Sequence, residues 1–128
     1  MIVDTSVIIA ILLEEPGYQE LYEKIVDTTD NRISAVSYVE ASMVLIGRRG
    51  ESIMQRFQRL LVVLEVVSTP LSVEQAGLAV EAFRRYGKGR HRAGLNFGDC
   101  FSYALAKSAG EPLLFKGTDF GRTDVDVA

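Results

Sequence analysis

The sequence predicts an α/β fold, with a parallel sheet covered on both faces by helices. Two patterns carry that reading. Short apolar, β-branched runs such as Met1–Val3 and Ile33–Val36 alternate with longer stretches whose apolar residues recur at helical spacing. No linker, internal repeat or low-complexity tract interrupts the 128 residues, so a single domain over 1–128 is expected.

Met1–Val3 reads as a buried strand ending at Asp4, where Asp4-Thr5-Ser6 turns polar. Val7–Leu13 reads as a helix stopped by Pro16-Gly17. Tyr18–Val26 sets Leu21, Tyr22, Ile25 and Val26 on one helical stripe. Ile33–Val36 is the second strand. Ser37-Tyr38-Val39-Glu40 then has the form of a capping box, opening a helix that Gly50 ends. Glu51–Leu64 carries Ile53, Phe57, Leu60, Leu61 and Leu64 on one helical face, and Val66–Val67 is a third short strand. Ser72-Val73-Glu74-Gln75 is a second capping box, with Val73, Ala76, Val80 and Phe83 at helical spacing behind it. A Gly- and Arg-rich loop spans Gly87–Leu95. Asn96 can cap a helix over Phe97–Ala109, closed by Gly110. Pro112–Phe115 is the fourth strand, and a short fifth is expected at Val125–Val127.

Hydrophobic residues make up 48% and charged residues 24%, the balance of an ordinary globular chain. A net charge of −3 counts against a general nucleic-acid binder, although local charge matters more than the sum. One cysteine and one histidine exclude an internal disulfide and a Cys/His zinc site. Cys100 is read as a small buried hydrophobe. The chain opens on a strand-like run without a basic segment followed by an apolar one, and Val7–Leu13 is far too short to span a bilayer. A cytoplasmic protein without membrane attachment is expected.

In open parallel sheets the site lies beyond the carboxyl ends of the strands. Asp4 ends the first strand, and Glu40 lies one helical turn past the second. Asp99 occupies the first turn of the helix after the Arg-rich loop. Asp119 follows the fourth strand, with Asp124 soon after. Singly, each acid is accounted for by helix capping or turn chemistry. Together, carboxylates on one edge repel one another, and a fold tolerates this when cations neutralise them or some stay protonated. Oxygen donors without His or Cys suit Mg²⁺ or Mn²⁺, and the natural chemistry is phosphodiester hydrolysis.

Arg84, Arg85, Lys88, Arg90, His91 and Arg92 cluster just upstream of Asp99. They read either as a solvated helix end or as a patch that tracks phosphates. Arg85, Lys88, Arg90 and Arg92 are the candidate contacts to a phosphate backbone. The glycines would leave this loop mobile or able to approach a backbone closely. Thr5, Ser6 and Thr118 could hydrogen-bond the carboxylates.

Met-Ile-Val-Asp-Thr-Ser at 1–6, Glu40, the stretch Tyr86–Ala106 around Asn-Phe-Gly-Asp-Cys, and Pro112–Phe120 with Thr123–Val125 resemble the VapC toxin branch of the PIN-domain ribonucleases. The resemblance spans essentially the whole chain. It implies a three-layer α/β/α sandwich around a parallel sheet of four to five strands. It also implies an Mg²⁺- or Mn²⁺-dependent endoribonuclease acting on tRNA or rRNA, inhibited by a DNA-binding antitoxin, with the toxin itself a homodimer. By position, Asp4, Glu40, Asp99 and Asp119 become the catalytic, metal-holding acids, and Asp124 competes with Asp119. The apolar faces around residues 37–64 are the expected antitoxin groove. Two alternatives stand beside this reading. One is a phospho-receiver-like domain, which lacks its acid pair after strand one. The other is a PIN-like module that binds RNA without cutting it.

Overall fold

A computed structural model describes every residue, 1–128. Its elements in chain order are β1 (Ile2–Val3), α1 (Thr5–Leu12), α2 (Tyr18–Val26), β2 (Arg32–Ser34), α3 (Ala35–Arg49), α4 (Ile53–Val63), β3 (Val67–Thr69), α5 (Val73–Tyr86), α6 (Phe97–Ala109) and β4 (Leu113–Leu114). A single 3₁₀ turn, Phe120–Arg122, follows. No helix is long and apolar enough to cross a membrane.

The four strands form one sheet in the order β3-β2-β1-β4, every pair parallel. Val125–Val127 adds only a single bridge, Leu113 to Val127, so the fifth strand is reduced to its first pairing. Because side chains alternate across a strand, two residues suffice to reach both faces. Val3 and Leu114 point into a core built by α1, α2, α3 and α4, with Ile8, Ile25, Leu45 and Phe57 fully buried. Ile2 and Leu113 point the other way, into a core built by α5 and α6. The result is the expected three-layer sandwich. Cys100 is buried in the second core, and burial pushes its thiol up to about 11, so it packs as a hydrophobe.

Several boundaries differ from the sequence reading, β2, α4 and β4 by one or two residues at an end, and three of the shifts have a plain cause. The helix after β2 starts at Ala35, because Ser34 is the cap and its Oγ accepts from the Val36 N–H at 3.2 Å. Ser37 therefore lies inside α3, and Ser37/Glu40 is not a capping box. The first helix starts at Thr5 rather than Val7, because Asp4 caps it through the Ser6 N–H at 2.9 Å. The third strand is Val67–Thr69, one step later than expected, because Val66 is drawn into the core while Val67 stays exposed on the sheet edge.

The strand order places a switch at β1. The chain moves from β1 to β2 and β3 on one side, then crosses to β4 on the other. Such a reversal opens a crevice at the carboxyl ends of the strands it separates.

Candidate active site

Asp4 is the first residue beyond β1 and stands at that crevice. It is 3% exposed, and both carboxylate oxygens are engaged. Oδ2 accepts from the Ser6 N–H at 2.9 Å, and Oδ1 accepts from the Ser102 hydroxyl at 2.6 Å. Glu40 sits in the second turn of α3. The Thr5 hydroxyl, adjacent to Asp4, reaches Glu40 Oε2 at 2.9 Å and the Ser37 carbonyl at 3.2 Å. Asp99 sits in the first turn of α6. It forms a reciprocal capping box with Asn96: each side chain accepts from the other's backbone N–H at 2.9 Å. Asp119 lies after β4 at the start of the 3₁₀ turn, exposed and without a capping bond.

The charges of these four acids meet. Burial pushes the Asp99 carboxyl up to about 7 against the hydrogen bond from Asn96, and the charges of Asp4, Glu40 and Asp119 add to the rise. Glu40 is raised as well, chiefly by burial, with Thr5 opposing and Asp4 adding. No Lys or Arg forms a salt bridge with any of the four, whereas Glu15, Glu81, Glu111 and Asp124 all have such partners. As the side chains lie, no three acids close into a ready ligand shell. The donor set nevertheless fits a hard divalent cation: oxygen ligands only, in a negative field that no side chain neutralises.

Gly98 makes room for this arrangement. It is buried in the first turn of α6, and a Cβ there would fall on the Glu40 carboxylate. Gly98, Ser37 and Ser102 are absent from the sequence-derived site. Ser102 left a faint signal, a hydroxyl three residues beyond Asp99 on a helix face otherwise lined by Ala and Leu. Ser6 joins the site through its backbone N–H, while its hydroxyl accepts from the Lys116 N–H at 3.0 Å.

Asp124 is tied elsewhere. It accepts from the Tyr103 hydroxyl at 2.7 Å and pairs with Arg85 at 3.3 Å and Lys107 at 3.6 Å. Some burial works against its charge, but Tyr103, Lys107 and Arg85 outweigh it and hold the carboxyl below the usual range. Lys116 pairs with Glu15 at 2.6 Å rather than with an acid of the crevice, which leaves the receiver alternative without its lysine.

Backbone hydrogen bonds tie the basic segment together. The Lys88 N–H bonds the Leu95 carbonyl and the Leu95 N–H bonds the Tyr86 carbonyl, both at 2.9 Å. Gly89 and Gly94 turn the loop at φ of 82° and 65°, where other residues are strained. Arg85 is drawn to Asp124 and lies over the Tyr86 ring, and Arg90 lies over Phe83. The His91 Nδ1 accepts from the Ala93 N–H at 3.1 Å, a loop-forming role. Lys88 and Arg92 are exposed and enter no salt bridge.

Known proteins resemble this chain over nearly its whole length. A family model described as the PIN domain matches residues 1–126. The chain is 47% identical over 125 residues to a Mycolicibacterium smegmatis protein named Ribonuclease VapC, covering 98% of this chain and 97% of that one. It is 46% identical over 126 residues to Ribonuclease VapC30 of Mycobacterium tuberculosis, covering 98% and 95%. Among solved structures, a toxin–antitoxin complex from Klebsiella pneumoniae superposes with a TM-score of 0.71 at 20% identity, covering 99% of this chain and 95% of that one. A Pyrobaculum aerophilum crystal structure superposes with a TM-score of 0.61 at 19% identity, covering 98% and 81%.

Proposed function

The chain belongs to the PIN-domain family, among its VapC ribonucleases, and from that footing we propose a toxin that hydrolyses tRNA or rRNA with Mg²⁺ in the cytoplasm. The observation that carries this reading is the set of four uncompensated carboxylates around the switch point, one of them held near pH 7. Asp4, Glu40, Asp99 and Asp119 would hold the metal, with Mn²⁺ an acceptable substitute. When bound, the ion supplies positive charge against the phosphate and activates a water for attack at phosphorus.

The chain's own residues prepare that chemistry. The Ser6 N–H and the Ser102 hydroxyl hold Asp4, and Thr5 holds Glu40, so two carboxylates are oriented in advance. Asp99 is about half protonated near neutrality in the metal-free chain and must release that proton to serve as a ligand. Lys88 and Arg92 are free to approach phosphates. Arg85 and Arg90 are proposed to follow once RNA competes with Asp124 and Phe83 for them.

The inhibiting antitoxin is assigned to the α3–α4 side. Val39 and Met43 are exposed by 54% and 69% on either side of Glu40 in α3. A cleft of about 270 Å³ lined by Ile11, Leu12, Leu60 and Val63, with Arg56 and Arg59, lies between α1 and α4. The α5–α6 face suits the homodimer, because Leu71, Val80, Phe83, Phe97 and Phe101 line an apolar groove of about 660 Å³.

Mapping new RNA 5′ ends in cells expressing the chain, beside cells expressing Asp99→Asn, tests the proposal. New ends confined to tRNA or rRNA and absent from the variant are expected. The same ends in both, or none in either, would overturn it.

A further inference from the structure

Asp4 is not held by its own segment alone. Its capping bond to the Ser6 N–H engages only Oδ2. Oδ1 is reached from α6 by Ser102, whose Oγ also lies 3.0 Å from Ser37 Oγ on α3. Both serines are fully buried. An ionised carboxylate only accepts, so the Ser102 proton points at Asp4. The Ser102 oxygen is then the acceptor, and the proton between the serines belongs to Ser37. The direction of the chain is therefore Ser37 to Ser102 to Asp4.

A buried hydroxyl is costly unless paired, and the neighbours of Ser102 along α6 include buried Ala104, Leu105 and Ala106. An alanine would suit those apolar neighbours but would leave Asp4 Oδ1 and the Ser37 hydroxyl without their partner. Ser102 also lies three residues past Asp99, on the same helix. Its bond ties the carboxylate at the end of β1 to the helix that carries the second acid, across 98 residues of sequence.

We propose that Ser102, oriented by Ser37, is a positioning residue that sets the Asp4 carboxylate for the divalent cation. This rests on the metal-dependent reading above. With one oxygen fixed by Ser6 and the other by Ser102, rotation of the carboxylate is blocked, and each oxygen keeps a lone pair for the ion. Partners of this kind set the orientation of ligating carboxylates, and their loss lowers metal affinity about 10- to 100-fold.

Calorimetric titration of Mn²⁺ into the RNA-free protein tests it, with wild type, Ser102→Ala, Ser37→Ala and Asp99→Asn compared at one pH. The expected Mn²⁺ Kd rises at least tenfold in Ser102→Ala and by an intermediate factor in Ser37→Ala. RNA cleavage by Ser102→Ala should recover at high Mn²⁺ with the KM for RNA unchanged. A purely structural serine would lower the melting temperature and leave the Kd of the folded protein within twofold of wild type, and that result overturns the proposal. If Ser102→Ala does not fold, Ser37→Ala decides, since an unchanged Kd there removes the chain's role. A wild type that binds no Mn²⁺ overturns the metal site itself. Binding by wild type and Ser102→Ala alike overturns only the role of Ser102.

Discussion

Asp99→Asn should make the metal-free protein more stable while abolishing cleavage. The carboxyl of Asp99 ordinarily titrates at 3.8 and is pushed to about 7 here. That difference corresponds to about 4 kcal/mol between the two protonation states. The side chain is partly open to solvent, so about half, roughly 2 kcal/mol, is a realistic share. The sign follows from proton binding. Between 3.8 and 7 the folded state holds a proton that the unfolded state has released, so stability declines as pH rises and levels off above 7. Asparagine removes this decline, and its side-chain oxygen can still accept from the Asn96 N–H. In chelator at pH 8, thermal unfolding of Asp99→Asn should therefore occur about 8 °C above wild type, with a smaller gap at pH 5. Saturating Mg²⁺ should reverse the order, because a hundredfold excess over Kd adds about 2.7 kcal/mol to a protein that binds it. A variant less stable than wild type in chelator at pH 8, or a gap independent of pH, would refute the electrostatic reasoning.

Gly98→Ala should keep or raise the melting temperature, since alanine favours the helix by up to about 1 kcal/mol, yet reduce cleavage at least tenfold as the Glu40 carboxylate is displaced; unchanged cleavage would count against the placement of Glu40. Asp124→Asn should cost about 1 kcal/mol in urea unfolding at neutral pH through the Tyr103 bond and leave cleavage intact, whereas Asp119→Asn should do the reverse. The Asp124 carboxyl is held low, so its contribution is present at neutral pH and lost only as pH falls through that lowered value. The Mg²⁺ concentration for half-maximal cleavage should rise about fivefold from pH 7 to pH 6, as Asp99 must give up its proton; a metal requirement flat over that range would exclude Asp99 as a ligand. Ser34→Ala should lower stability by about 1 kcal/mol through loss of the α3 cap, and an unchanged melting temperature would argue for a different helix start.

The layered fold was legible because each strand is a bare apolar run and each helix keeps a regular stripe, so local patterns agree with the tertiary arrangement. The start of α3 was not, because Ser34 and Ser37 both satisfy local capping rules and only burial of Ser37 against α6 separates them. Asp4 and Asp99 could be read from element ends alone. The ties that hold Asp124 away from the crevice could not, since Tyr103, Lys107 and Arg85 reach it from α5 and α6. That same contact removes Arg85 from the free basic patch. Ser102 and Gly98 were hidden for a related reason: their partners, Asp4 and Glu40, are distant in sequence and meet them only after the sheet forms.

Cleavage of a defined tRNA and rRNA set by the purified chain, with Mg²⁺ and with chelator, tests the central claim most directly when run beside Asp4→Asn and Asp99→Asn. The account predicts discrete cuts by wild type with Mg²⁺, none in chelator, recovery when Mg²⁺ is restored, and a loss of at least a hundredfold in either variant. Cleavage that survives chelation, or that either folded variant retains in full, would contradict it.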